Sequence, residues 1–222
     1  MTRERKRAGA YGRWIGAVLF LSFGLSGSAG ATSILVNGSF EQGTTIAPAV
    51  FKYLPAGNAG VTGWTITGDS IDYIGSLWQA SDGTRSLDLS GNAAGGVKQT
   101  FATVVGTSYT VAFDLAGNVT QAPSIKSVRA SAGSVTQDFT FDITGHTLGN
   151  MGWTTHSFSF TATSTTTTLA FSSLNGASAS GPALDNVSVN PTSPIPEPST
   201  ALLIGAGFLA LAGAKRRTRA QG

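Results

Sequence analysis

Three stretches in the middle of the chain alternate apolar and polar residues with a period of two. Tyr109, Val111, Phe113 and Leu115 are interleaved with Thr110, Ala112 and Asp114. Phe139, Phe141 and Ile143 are interleaved with Thr140 and Asp142, and Phe158 and Phe160 with Ser157 and Ser159. Such a period puts one face of a strand in a core and the other in water. Further strands are expected at 34–40, 50–54, 64–67, 71–75, 86–90, 96–103, 124–132, 167–173 and 183–189. Turn dipeptides separate them: Gly57-Asn58, Thr62-Gly63, Asp82-Gly83, Gly91-Asn92, Gly117-Asn118 and Asn175-Gly176. Thr161 to Thr168 could be a low-complexity linker, but Phe158/Phe160 and Leu169/Phe171 flank it at strand spacing, so a hairpin is expected. No helical period interrupts this region. The expected fold class is therefore all-β, a sandwich, most simply a jelly roll.

The two ends break the pattern. MTRERKRAGAYGR is a charged head, followed by the mostly apolar WIGAVLFLSFGLSG, with Ala29 and Ala31 at small-residue positions. This order predicts a signal peptide over 1–31, cut after Ala31; a retained anchor is the alternative. The β-sandwich domain is expected over 32–190. A linker over 191–199 holds Pro191, Pro194, Pro196 and Pro198, which favour an extended chain and cannot join a sheet ladder. Residues 200–222 then comprise an apolar run, Ala201 to Ala214, and the basic cluster Lys215, Arg216, Arg217 and Arg219. A helix of that run is about 21 Å long, short for a hydrocarbon core of about 30 Å, although snorkelling arginines can extend it. It reads as a short transmembrane helix whose basic end stays on the cytoplasmic side. Gly205-Ala206-Gly207-Phe208-Leu209-Ala210 resembles a dinucleotide-binding turn, but too little chain follows to build the strand and helix such a turn needs.

Charge must be read by segment. The whole chain carries a net +3, yet residues 32 to 198 hold five basic residues against ten acidic ones. The basic balance belongs to the ends, so nucleic-acid binding is not expected. With no cysteine, disulfides, thiolate metal sites and cysteine nucleophiles are excluded.

The order Pro196-Glu197-Pro198, apolar run, arginine-rich end resembles the PEP-CTERM sorting signal of exopolysaccharide-producing bacteria. That resemblance implies export across the inner membrane, transient anchoring there, and cutting near the Pro-Glu-Pro triplet by a membrane-embedded exosortase. The mature protein would then reach the cell surface or extracellular matrix. The segments LVNGSFE (35–41), IDYIGSLWQASDGTRSLDLSG (71–91), QTF (99–101), YTVAFDLAGN (109–118) and ALDNVSV (183–189) resemble the choice-of-anchor C family. That family is related to a domain of unknown function in plant cell-wall proteins. The resemblance implies a galactose-binding-like jelly roll, a fold shared with many carbohydrate-binding modules. Plant relatives carry two domains and cysteines; this chain has one domain and none, so their partners do not transfer.

Catalytic constellations are thin. A Ser-His-Asp triad could draw only on His146, in the loop TGHTLGN, and His156, in a strand, and no G-x-S-x-G turn occurs. A glycosidase needs two carboxylates facing one groove; Asp69/Asp72 and Asp82/Asp88 are the pairs available. Jelly-roll carbohydrate modules often hold a structural calcium where first and last strands meet. The resemblance therefore implies Glu41 and Asp185 as ligands of one Ca²⁺, near Asn37; a hydrogen-bonded pair of turn-capping carboxylates is the alternative. For a sugar ligand, flat aromatic faces with polar neighbours are wanted. Trp64 and Tyr73 read as core. Trp78, beside Gln79, Ser81 and Asp82, is the best ligand candidate, and Trp153 the second. The three N-x-S/T matches, at Asn37, Asn118 and Asn186, read as chance. The function expected is non-catalytic binding of extracellular polysaccharide. The alternatives are a structural matrix protein held by protein contacts and, third, a glycoside hydrolase.

Overall fold

The computed structural model describes residues 33–46 and 50–192. The expected signal peptide with Ala29 and Ala31, and the sorting segment with Pro196, Glu197, Pro198, Lys215, Arg216, Arg217 and Arg219, lie outside the described residues.

Eleven strands and no helix make up the described chain: β1 (Phe51–Pro55), β2 (Thr65–Gly68), β3 (Ser70–Ile74), β4 (Ser86–Asp88), β5 (Gly95–Ala102), β6 (Ser108–Gly117), β7 (Ile125–Ala132), β8 (Val135–Asp142), β9 (Thr154–Thr161), β10 (Thr166–Ser173) and β11 (Pro182–Pro191). They form two antiparallel sheets. One has the order β1-β3-β4-β11-β6-β9, the other β2-β5-β10-β7-β8. Only β3–β4 and β7–β8 are consecutive strands within one sheet; every other connection crosses between the sheets.

The alternation seen in the sequence explains the core. Tyr109, Val111, Phe113 and Leu115 of β6 point inward and are buried. Phe113 meets Phe139 of β8 at 5.1 Å and Phe171 of β10 at 4.9 Å between ring centroids, both edge to face. These contacts bridge the two sheets, in the geometry aromatic quadrupoles favour. Trp64 and Tyr73 are core residues, as expected.

Two expectations fail. Residues 34–40 are not a strand: Asn37 and Phe40 adopt φ of 55° and 58°, which an extended ladder cannot hold. The Asn37 side-chain amide donates to the carbonyls of Gln42 (2.8 Å) and Thr62 (2.9 Å), and the Asn37 backbone carbonyl accepts the Trp64 indole N–H at 3.0 Å. A Cβ on Gly38 would lie 1.9 Å from the Val187 carbonyl oxygen, so only glycine fits this knot. Nor do residues 161–168 form a hairpin. Phe158 and Phe160 sit in one sheet and Leu169 and Phe171 in the other, so the Thr-rich stretch is a crossing between layers.

Candidate functional site

The residues singled out from the sequence do converge, on the loop 75–85 that joins β3 to β4. Asp185 of β11 is buried beneath it. Its Oδ2 accepts the backbone N–H groups of Ser81 (2.8 Å) and Asp82 (2.9 Å), and its Oδ1 that of Asn186 (2.7 Å). Glu41 grips the same loop further along. Its Oε1 accepts the N–H groups of Thr84 (2.8 Å) and Arg85 (2.7 Å), and its Oε2 the Thr84 hydroxyl (2.8 Å). The Trp153 indole donates to the Gln79 carbonyl at 2.9 Å. Asp114, the cross-strand partner of Asp185, accepts the hydroxyls of Ser81 and Thr155, each at 2.6 Å, and the Asn186 amide at 3.0 Å. Burial pushes the Asp185 carboxyl up to about 7 against its backbone donors. For Asp114 burial also acts upward, but the three side-chain donors and nearby His156 outweigh it, and its carboxyl is held below the ordinary value.

This is a clamp rather than a binding face. Trp78 is 4% exposed, and its indole donates to the buried Ser86 hydroxyl at 2.9 Å. It packs under the loop and offers no surface to a sugar, contrary to expectation. Trp153 is half-buried, while Gln79 and Asp82 are exposed on the loop. Glu41 and Asp185 direct their oxygens at six N–H and O–H donors, which present hydrogens where a cation would need lone pairs. Among the described residues no three His, Cys, Asp or Glu side chains gather as a metal would require. The donor set fits turn capping and does not fit calcium. The histidines serve packing: His156 lies 5.8 Å from the Phe113 ring and 5.3 Å from the Phe139 ring, and His146 lies 5.1 Å from that of Phe141.

A different place has the character of a site. A groove of about 420 Å³ opens on the outer face of the six-stranded sheet at its β1 edge. Phe51 and Tyr53 line it, 39% and 41% exposed. They are alternate residues of β1, so both rings lie on one face about 7 Å apart along the strand. Asp72 of β3 lies directly across from Tyr53, and Asp88 of β4 directly across from Asp72. Burial pushes the Asp72 carboxyl up to about 6. Asp88, fully buried beneath, is pushed up to about 7 by burial, despite donors from Asn118 Nδ2 (2.7 Å) and the N–H groups of Ser90 and Gly181 (2.9 Å each). The Asp72 charge raises it further. Hence Asp72 pairs with Asp88, not with Asp69 as the sequence suggested, and Asp82 belongs to the clamp.

The groove is completed by Leu77, Asn92 and the segments 118–121 and 179–180. Lys126 ties those two segments together. Its Nζ, at the end of a wholly buried side chain, donates to the carbonyls of Gln121 (2.8 Å) and Ser180 (2.7 Å). The one trace of this groove in the sequence is FKYL at 51–54, where aromatic residues occupy both positions of one face.

Three comparisons bear on this chain. The family described as "Protein of unknown function (DUF642)" matches residues 33–190, and the PEP-CTERM protein-sorting motif matches residues 194–217. Halomucin of Haloquadratum walsbyi is 30% identical over 166 residues, which are 73% of this chain but 2% of that protein. Among solved structures, the CBM22-1 xylan-binding domain from Paenibacillus barcinonensis superposes with a TM-score of 0.45 at 15% identity, over 73% of this chain and 96% of that one. A family 35 carbohydrate-binding module from Clostridium thermocellum gives a TM-score of 0.42 at 12% identity, over 62% and 97%.

Proposed function

The chain belongs to the DUF642 family, and for this member we propose non-catalytic binding of carbohydrate through the groove at the β1 edge, on a jelly-roll frame. The observation that carries the reading is the juxtaposition of Phe51 and Tyr53 with Asp72 on one face of the sheet. Sugar rings present an apolar C–H face to aromatic side chains, and their hydroxyls need acceptors and donors nearby. Asp72 supplies acceptors; Asn92 and Gln121 supply amides. A hydrolytic role is not proposed. Two-carboxylate hydrolysis needs both groups at the substrate, and Asp88 has no exposed surface and spends its oxygens on protein donors. The sorting motif supports export, exosortase processing and a final place at the cell surface or in an extracellular polysaccharide matrix.

The test is binding of the full chain, in mild detergent, to a panel of immobilised polysaccharides by biolayer interferometry. Selective binding is expected, with Tyr53→Ala weakening it about tenfold, the equivalent of about 1.4 kcal/mol. Absence of binding to every polymer would sink the reading and move the role to protein contacts in the matrix. Binding unaffected by Phe51→Ala and Tyr53→Ala together would place the ligand elsewhere.

A further inference from the structure

We infer that the groove selects uncharged glycans, and that Asp72 is the residue that turns away sugars bearing a carboxylate; this rests on the carbohydrate-binding reading above. The first ground is composition. Asp72 is the one charged side chain that lines the groove, and no Lys, Arg or His lines it among the described residues. Carboxylate-bearing ligands are ordinarily held by just those cations, above all by the forked donors of Arg.

The second ground is position. Asp72 shares a rung with Tyr53, so a ring seated on the tyrosine brings its substituents to the carboxyl. Burial alone accounts for the state of that carboxyl, and no hydrogen bond from the described residues occupies it. Its oxygens are open to sugar hydroxyls. The third ground lies underneath. Asp88 is the next residue along the rung and has no exposed surface, so two acids are stacked behind one face of the groove. Lys126, the cation that acts on Asp88, has its Nζ committed to the carbonyls of Gln121 and Ser180. The Asn118 amide, which could have donated to an anion, donates instead to Asp88. A uronate entering here would add a further negative charge to a half-buried site without a counter-ion, and like charges at short range in such a medium repel strongly. A neutral ring meets no such cost.

The experiment compares a polyuronate with the same polymer after its carboxylates have been reduced to primary alcohols, alongside the neutral polymers of the panel. The full chain is expected to bind neutral polymers, and to bind the reduced polymer at least about tenfold more tightly than its parent. Asp72→Asn keeps the shape and removes the charge. Because it also removes an acceptor oxygen, the affinity for neutral polymer is not the readout; the gap between parent and reduced polymer is, and it is expected to narrow about tenfold. Binding of neutral polymer together with equal binding of the polyuronate would overturn the inference and leave the carbohydrate reading standing. A gap that Asp72→Asn does not narrow would overturn the role of Asp72. No binding of any neutral polymer would overturn the reading and the inference with it. Circular dichroism and the melting temperature of the variant identify a folding failure; in that case Asp72→Ser, which also removes the charge, replaces it in the same comparison.

Discussion

Lys126 is a wholly buried cation whose Nζ meets two carbonyls and, among the described residues, no carboxylate. Burial lowers the pKa of its ammonium while the nearby Asp88 raises it. Two carbonyls from separate loops hold it, so its role is to fasten the groove wall. Lys126→Met keeps the apolar stem and strips the donor, leaving the Gln121 carbonyl without its partner and the Ser180 carbonyl with only the Ser178 hydroxyl. A loss of about 1–3 kcal/mol in urea unfolding is expected, together with weaker glycan binding; an unchanged midpoint would show that water replaces the ammonium at no cost. The buried acids give a second prediction. Asp72, Asp88 and Asp185 have native values of about 6, 7 and 7, all above the ordinary 3.8. The native state therefore keeps protons that the unfolded chain releases between pH 4 and 7. Their stabilising share is complete below pH 4 and is lost as pH rises through about 6 to 7. Asp114, held low, acts in the opposite sense, below pH 4. The melting temperature is expected to be higher at pH 5 than at pH 8 by about 5 °C or more, with a smaller difference in Asp88→Asn. A flat profile would contradict this.

At the level of elements, the clamp on loop 75–85 shows how a carboxylate can resemble a metal ligand in sequence and act as a turn cap in structure. Gly83, at φ 64°, brings the turn against Glu41; a Cβ there would lie 2.5 Å from its Oε1. Glu41→Ala is expected to cost about 1–2 kcal/mol and to speed hydrogen exchange at the Thr84 and Arg85 amides. EDTA should leave the melting temperature unchanged; a fall would put a cation on Glu41 and Asp185 after all. The same elements show what was legible. Period-two alternation reported which residues face the core in β6, β8 and β9, because burial is written residue by residue. It could not report partners, so the crossing at 161–168 resembled a hairpin. In the 34–40 segment the apolar Leu35 and Phe40 suggested a strand, although Asn37-Gly38 is itself a turn dipeptide. Trp78 was misread because its neighbours are polar; the loop folds back onto the sheet and buries the indole. The groove was unreadable for a related reason. It joins β1 and β3 to the segments 118–121 and 179–180, the latter more than 100 residues away along the chain, and only the topology brings them together.

For the whole molecule, the position of β11 matters most. It is the last of the described strands, yet it lies in the interior of the six-stranded sheet, between β4 and β6. Without it that sheet is two fragments. β11 ends at Pro191, and the sorting motif begins at residue 194. A chain that emerges from a membrane amino end first delivers ten of the described strands, enough for the five-stranded sheet and for both fragments of the other, before β11 can join those fragments. On the export proposed above, the strand that joins the two halves of this sheet and the motif that directs sorting would then leave the membrane within a few residues of one another.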